Sequence, residues 1–138
     1  MSLFSDLSLP PPQARPLWRK RTGRPPNVSA KTVQRLCDVT AIASAAAFAV
    51  SVGEIGAASR RSSYVALARQ SAMYLAHVAF GLSLSDVGRA FGRDRTTAAH
   101  ACRLIEERRD DPSVDALLSA LEGACVALRH RLDATVRL

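Results

Sequence analysis

The chain is poor in aromatic residues, with one Trp, two Tyr and four Phe among 138 positions. It is poorer still in lysine, since seventeen of its nineteen basic residues are Arg. Its three cysteines, Cys37, Cys102 and Cys125, are odd in number and widely spaced. This spacing excludes a disulfide framework and paired metal-ligand spacing. His100 and Cys102 stand two apart, and on a helix such side chains diverge, so they read as structural residues rather than ligands. No uncharged run is long enough to span a bilayer: the longest, Val39 to Gly53, is Ala-rich and interrupted by Thr40, Ser44 and Ser51. The first residues lack the basic start, apolar core and cleavage site of a secretion signal, and a cytoplasmic location is expected. There is no Gly-x-x-x-x-Gly-Lys-Ser/Thr loop and no nucleophile–base arrangement, so neither nucleotide cofactor nor catalysis is expected.

Alternating β-branched runs with hairpin turns are absent too, and the Ala- and Leu-rich composition predicts an all-α fold. Six of the seven prolines fall before residue 28, marking a basic, disordered arm over 1–28. A helical domain is expected over 29–112 and a C-terminal helix over 113–138. Net charge is +7. The excess lies in the arm and the helical domain, the distribution expected for a polyanion partner. The arginine bias suits guanine edges and phosphates, and it also matches the codon usage of a GC-rich genome.

Within the arm, Leu3, Phe4, Leu7 and Leu9 form an apolar cluster, read as a loose terminus or as a docking segment. Gly23-Arg24-Pro25, flanked by Arg19, Lys20 and Arg21, is similar to an AT-hook core. Arg24 would then enter a narrow minor groove, the other reading being a solvated basic linker. Asn27 or Ser29 caps a helix expected over 30–50, whose apolar surface comes from Val33, Leu36, Cys37, Thr40 and 42–48. A second helix is expected over 64–80, with Val65, Met73, Leu75, Ala76 and Phe80 in the core and Gly81 ending it.

Residues 83–105 read as two short helices joined by a Gly-containing turn. Ser83 and Asp86 make a capping-box pattern for a helix over 84–91. Gly92, Arg93 and Asp94 form the tight connection, and Asp94 caps a helix over 95–108. Ala98, Ala101, Cys102 and Ile105 mark its buried face at spacings of three and four. Arg95, Thr96, Thr97, His100 and Arg103 are left outward, at the positions that enter the major groove in a helix-turn-helix. After the Asp110-Asp111-Pro112 break, Ser113 is expected to cap the last helix. There Val114, Leu118, Leu121, Cys125, Leu128 and Leu132 form a heptad-like stripe. Its first half is expected to pack on the body, while 124–138 reads as extra helix or as a partner surface.

The motif Gly92-Arg93-Asp94-Arg95-Thr96-Thr97-Ala98-Ala99-His100-Ala101-Cys102-Arg103-Leu104-Ile105 resembles the C-terminal DNA-binding domain of the bacterial replication initiator DnaA. That family's hallmark is Gly-Arg-Asp-His-Thr-Thr-x-x-His-Ala-x-x-Lys/Arg-Ile. Arg69-Gln70-Ser71-Ala72-Met73-Tyr74-Leu75 is similar to its Arg-Gln-x-Ala-Met-Tyr-Leu segment, and Ser83-Leu84-Ser85-Asp86-Val87-Gly88 to its Ser-Leu-x-Glu-Ile-Gly. The likeness runs over about residues 30 to 121. It implies phosphate contacts from Arg69, Gln70, Arg93, Thr97 and Arg103, and a minor-groove contact from Arg61, or from Arg60 beside it. Ser85 and Asp94, at the starts of the two motif helices, join the expected DNA-binding set.

Two departures fall where sequence is read. The family's base-reading His is Arg95 here, and the turn is one residue shorter, with Gly92 alone. Free-standing domains of this kind look like bacterial transcription activators, including those that switch on gene transfer agents and prophage-like genes. The resemblance thus implies a sequence-specific transcription regulator binding double-stranded DNA. RNA polymerase or a co-activator subunit would be the partner, with a homodimer through 114–132 as a further option. The alternatives are a replication regulator competing for initiator sites and an adaptor that has lost DNA binding.

Overall fold

The computed structural model describes residues 28–56 and 63–136, all of whose regular elements are helices. In chain order these are α1 (Ala30–Ala47), α2 (Val52–Gly56), α3 (Ser63–Val78), α4 (Leu84–Ala90), α5 (Arg95–Arg108) and α6 (Pro112–Val136). The expected arm, with Arg24 and the apolar cluster, lies outside the described residues. So do Arg60 and Arg61.

α3 is the central helix. Its segment from Ser71 to Ala76 is buried without interruption, and it touches each of the other five helices. A helix apolar on every side belongs in the middle of a bundle. Its broadest interface is with α1, where Ala41 and Ala45 meet Ala68 and Ala72 together with Ile55 of α2. Small side chains on both helices allow close approach of their backbones. A second cluster joins Val33 and Cys37 of α1 to Met73, Phe80, Leu82, Val87 and Ala98, and Cys125 of α6 closes it. A third holds the rear of α5, with Tyr74, Leu75, Cys102, Ile105 and Leu118 in contact.

All three cysteines are free and buried. Burial pushes the Cys37 and Cys102 thiols up to about 12 and also raises Cys125, so each behaves as a small apolar core residue. In the α1–α3 packing, the hydroxyls of Ser44 and Ser71 are buried without a hydrogen-bond partner. An unmade buried bond costs more than a methyl group in the same space. Ser71→Ala is therefore expected to stabilise the fold by about 1 kcal/mol. A denaturant midpoint at or below that of the parent chain would contradict this.

The helix ends correct several expectations. Of the two caps offered for α1, Ser29 fills the position, accepting the Thr32 amide at 3.2 Å. α1 stops at Ala47 rather than 50, because Ala49 takes a left-handed φ of 54° and the Val50 amide turns back to the Ala45 carbonyl. Ile42, expected in the core, is 57% exposed, since the buried stripe runs through Cys37, Ala41, Ser44 and Ala45 instead. α6 begins at Pro112, whose fixed φ suits a first helical position, and its cap is Asp111 rather than Ser113. The Ser113 amide and hydroxyl both donate to the Asp111 carboxylate, at 2.9 and 2.7 Å. Gly81 ends the α3 region with φ 70° as expected. On α6 the stripe divides. Leu118 and Cys125 are buried and Val114 and Leu121 half-buried, whereas Leu128 and Leu132 are 36% and 43% exposed.

Candidate nucleic-acid interface

Asp94 sets the start of α5. Its backbone is extended, and its carboxylate accepts the Thr97 amide at 2.7 Å. That amide bond, reinforced by the Thr97 side chain, holds the Asp94 carboxyl below the usual carboxylate range. Ser83 does the same for α4, accepting the Asp86 amide at 3.1 Å. Between the two helices Gly92 adopts φ 66°, which the tight turn demands and glycine supplies without strain. The Arg93 amide donates back to the Gly88 carbonyl at 2.7 Å, closing the connection.

With α5 so placed, Ala98, Ala101, Cys102 and Ile105 are buried against α3, α4 and α6. Thr96, His100 and Arg103, spaced four and three apart, fall on the opposite side and are exposed. Arg95 is exposed on the leading edge, and Thr97 is half-buried beside the cap. The first two turns thus present a contiguous polar and basic surface whose hydrogen-bonding groups face solvent. Glu107, four residues beyond Arg103 on the same exposed side, ends the basic stretch.

Four more of the expected residues fall among those described: Arg93, Arg69, Gln70 and Ser85. Arg93, in the turn, and Arg69, on α3, are both half-buried and close enough for their charges to repel. Burial, and then the Arg93 charge, push the Arg69 guanidinium below its usual value. Arg69 also donates to two backbone carbonyls of α2. Gln70 is half-buried and Ser85 exposed on the first turn of α4.

Sequence reasoning missed Arg109, the C-cap of α5. Its guanidinium reaches Asp115 at 2.6 Å, Ser119 at 2.9 Å, the Tyr74 hydroxyl at 3.0 Å and the Glu122 carboxylate. Burial alone would lower its pKa, but Asp115, Tyr74 and Glu122 outweigh that and hold the charge firmly in place. The available signal was the spacing of Asp115, Ser119 and Glu122, four and three apart on one face of α6.

Two short capped helices joined by a glycine turn, the second with one face buried and the other basic and open, define a helix-turn-helix. This class of module binds DNA and performs no catalysis. Residues 40–105 match the family model described as the bacterial dnaA protein helix-turn-helix. A crystal structure of a DNA replication initiation factor aligns with 70% of this chain at 30% identity and a TM-score of 0.62. The chain spans 30% of that protein's length. The chain carries a DnaA C-terminal-like helix-turn-helix domain, homologous to that of the bacterial replication initiator. Among the described residues, no three His, Cys, Asp or Glu side chains cluster as a metal site, and no helix is long and apolar enough to cross a membrane.

Proposed function

We propose that the protein is a site-specific regulator that seats α5 in the major groove of duplex DNA, with Arg60 and Arg61 in the adjacent minor groove. The observation that carries this reading is the open face formed by Arg95, Thr96, His100 and Arg103 on a helix otherwise fixed by its core contacts. Arg95 pairs bidentately with a guanine edge, and the methyl group of Thr96 or Thr97 packs on thymine. Gln70, Arg93, Thr97, Arg103 and Ser85 sit along the phosphates and set register, with Asp94 ordering the helix end that faces the backbone. Arg24 of the arm adds a minor-groove or phosphate contact.

Two uses of such a module are supported by different observations. Kinship with a replication initiation factor favours occupancy of initiator-type sites, where this chain would compete with the initiator. Arg95 and the short turn favour a changed site and hence a transcription regulator, an activator above all, acting through RNA polymerase or a co-activator. The exposed Leu128 and Leu132 of α6 offer a surface for that partner or for a second copy of the chain. An adaptor without DNA binding leaves the exposed basic face of α5 without a use.

Selection of bound duplexes from a random library, at near-physiological salt, separates these uses. Recovery of the initiator's box supports competition for its sites, and a different motif supports transcriptional control. Absence of any enriched sequence would defeat site-specific binding. Arg95→Ala is expected to relax preference at one base pair, by ~1–3 kcal/mol of discrimination, while other positions keep theirs. An unaltered motif from that variant would mean that Arg95 reads no base.

A further inference from the structure

The resemblance assigns Arg69 to a phosphate, yet its guanidinium is engaged with the protein's own backbone. Its Nε donates to the Ile55 carbonyl at 2.7 Å and one terminal nitrogen donates to the Glu54 carbonyl at 3.2 Å. Both carbonyls lie in the last turn of α2, where a helix leaves its acceptors without internal partners. A cation there also complements the helix dipole. α2 is five residues long, too short to persist on its own hydrogen bonds. Two features hold it to the body: Ile55, buried among Ala41, Ala45, Ala68 and Ala72, and the fork of Arg69. The chain leaves α2 at Gly56 and reaches Arg60 and Arg61 four and five residues later.

We propose that Arg69 is a positioning residue, which binds the terminal carbonyls of α2 and so fixes where the chain departs toward Arg60 and Arg61. DNA affinity depends on it through that geometry and not through a phosphate of its own. This rests on the reading that Arg60 and Arg61 contact DNA. A planar fork meets two carbonyls with donors held at a fixed separation, whereas lysine presents one strongly hydrated ammonium on a flexible stem. A phosphate contact, in contrast, tolerates lysine.

The test compares Arg69→Lys and Arg69→Met in the full chain, with and without Arg60→Ala/Arg61→Ala. NMR of the free protein reads helical Cα shifts and amide exchange over 52–56, and titrations with the selected duplex read affinity and salt dependence. Both Arg69 variants are expected to lose the helical shifts of α2 and about tenfold in affinity. In the Arg60→Ala/Arg61→Ala background neither should reduce affinity or salt slope further. If Arg69→Lys keeps affinity while Arg69→Met lowers the slope by about one in either background, Arg69 is a phosphate contact and the proposal falls. Unchanged shifts over 52–56 in Arg69→Met would overturn the hold on α2 and leave the minor-groove reading standing. Parental affinity in Arg60→Ala/Arg61→Ala would overturn that reading, and with it the DNA half of the proposal.

Discussion

Gly88→Ala is expected to cost more stability than a methyl added at Gly53, Gly56, Gly92 or Gly123. A Cβ built at Gly88 would lie 2.5 Å from the Asp94 carbonyl oxygen, 2.7 Å from its carbon and 3.1 Å from the Arg95 nitrogen. All three are backbone atoms of the turn, so no side chain can swing aside. The helix and the turn must separate, which breaks the Arg93 amide bond to the Gly88 carbonyl and shifts the Asp94 cap. Overpacking of this kind costs about 3 kcal/mol or more. In a domain this size that lowers the melting temperature by on the order of 15 °C. DNA affinity should fall even where the variant remains folded, because α5 takes its position from this contact. Gly123→Ala is the control. Gly123 lies inside α6, a Cβ there meets nothing within 4 Å, and better helix propensity should raise stability by about 1 kcal/mol. Thermal melts followed by circular dichroism decide the matter: a Gly88→Ala midpoint within a few degrees of the parent would refute the close approach.

The second large effect is expected at Arg109. Its side chain is only 17% exposed and ties the end of α5 to Asp115, Ser119 and Glu122 of α6 and to Tyr74 of α3. The guanidinium also lies 5.8 Å from the centre of the Tyr74 ring, whose hydroxyl donates to Glu106 at 2.7 Å. Arg109→Met keeps most of the volume but strands two carboxylates beside each other at a helix junction. Losing one member of a fully buried charge network costs about 3–5 kcal/mol, and the partial exposure of Asp115 and Glu122 reduces this to about 2–3 kcal/mol. Arg109→Lys should recover little, since one ammonium cannot reach three helices at once. The loss should concentrate in α6, read as faster amide exchange over 112–122 than over α1 and α3. Uniform destabilisation would show that Arg109 does not act as the joint between α5 and α6.

The features legible in the amino-acid order arise from interactions that are local along the chain. Asp94, Ser83 and Gly92 are legible because a cap or a left-handed turn involves residues three or four apart. The buried face of α5 is legible because Ala98, Ala101, Cys102 and Ile105 repeat at helical spacing, and their complement gives the basic face directly. Some local patterns admit two answers, and there the fold makes the choice. Asp111 and Ser113 are both capping residues, and only the placement of Pro112 in the first turn selects Asp111. Ile42 is apolar, but its helix turns Ala41 and Ala45 into the cluster with Ala68 and Ala72 of α3, which leaves Ile42 on the open side.

Amino-acid order alone specifies an all-helical chain, the succession of its helices, the reading motif and the residues that face outward from it. Those features need only helical periodicity, capping chemistry and the demand that apolar side chains leave water. Three others exist only once the chain has folded: Gly88 must have no side chain, Arg109 joins three helices and Arg69 turns to the carbonyls of α2. Arg109 and Arg69 join groups separated by many residues, and Gly88 presses on a turn whose path the neighbouring helices set, all of them assembled when the core around α3 forms. No periodicity along the chain encodes such an approach, which is why the surface of the reading helix is visible in the sequence and its supports are not.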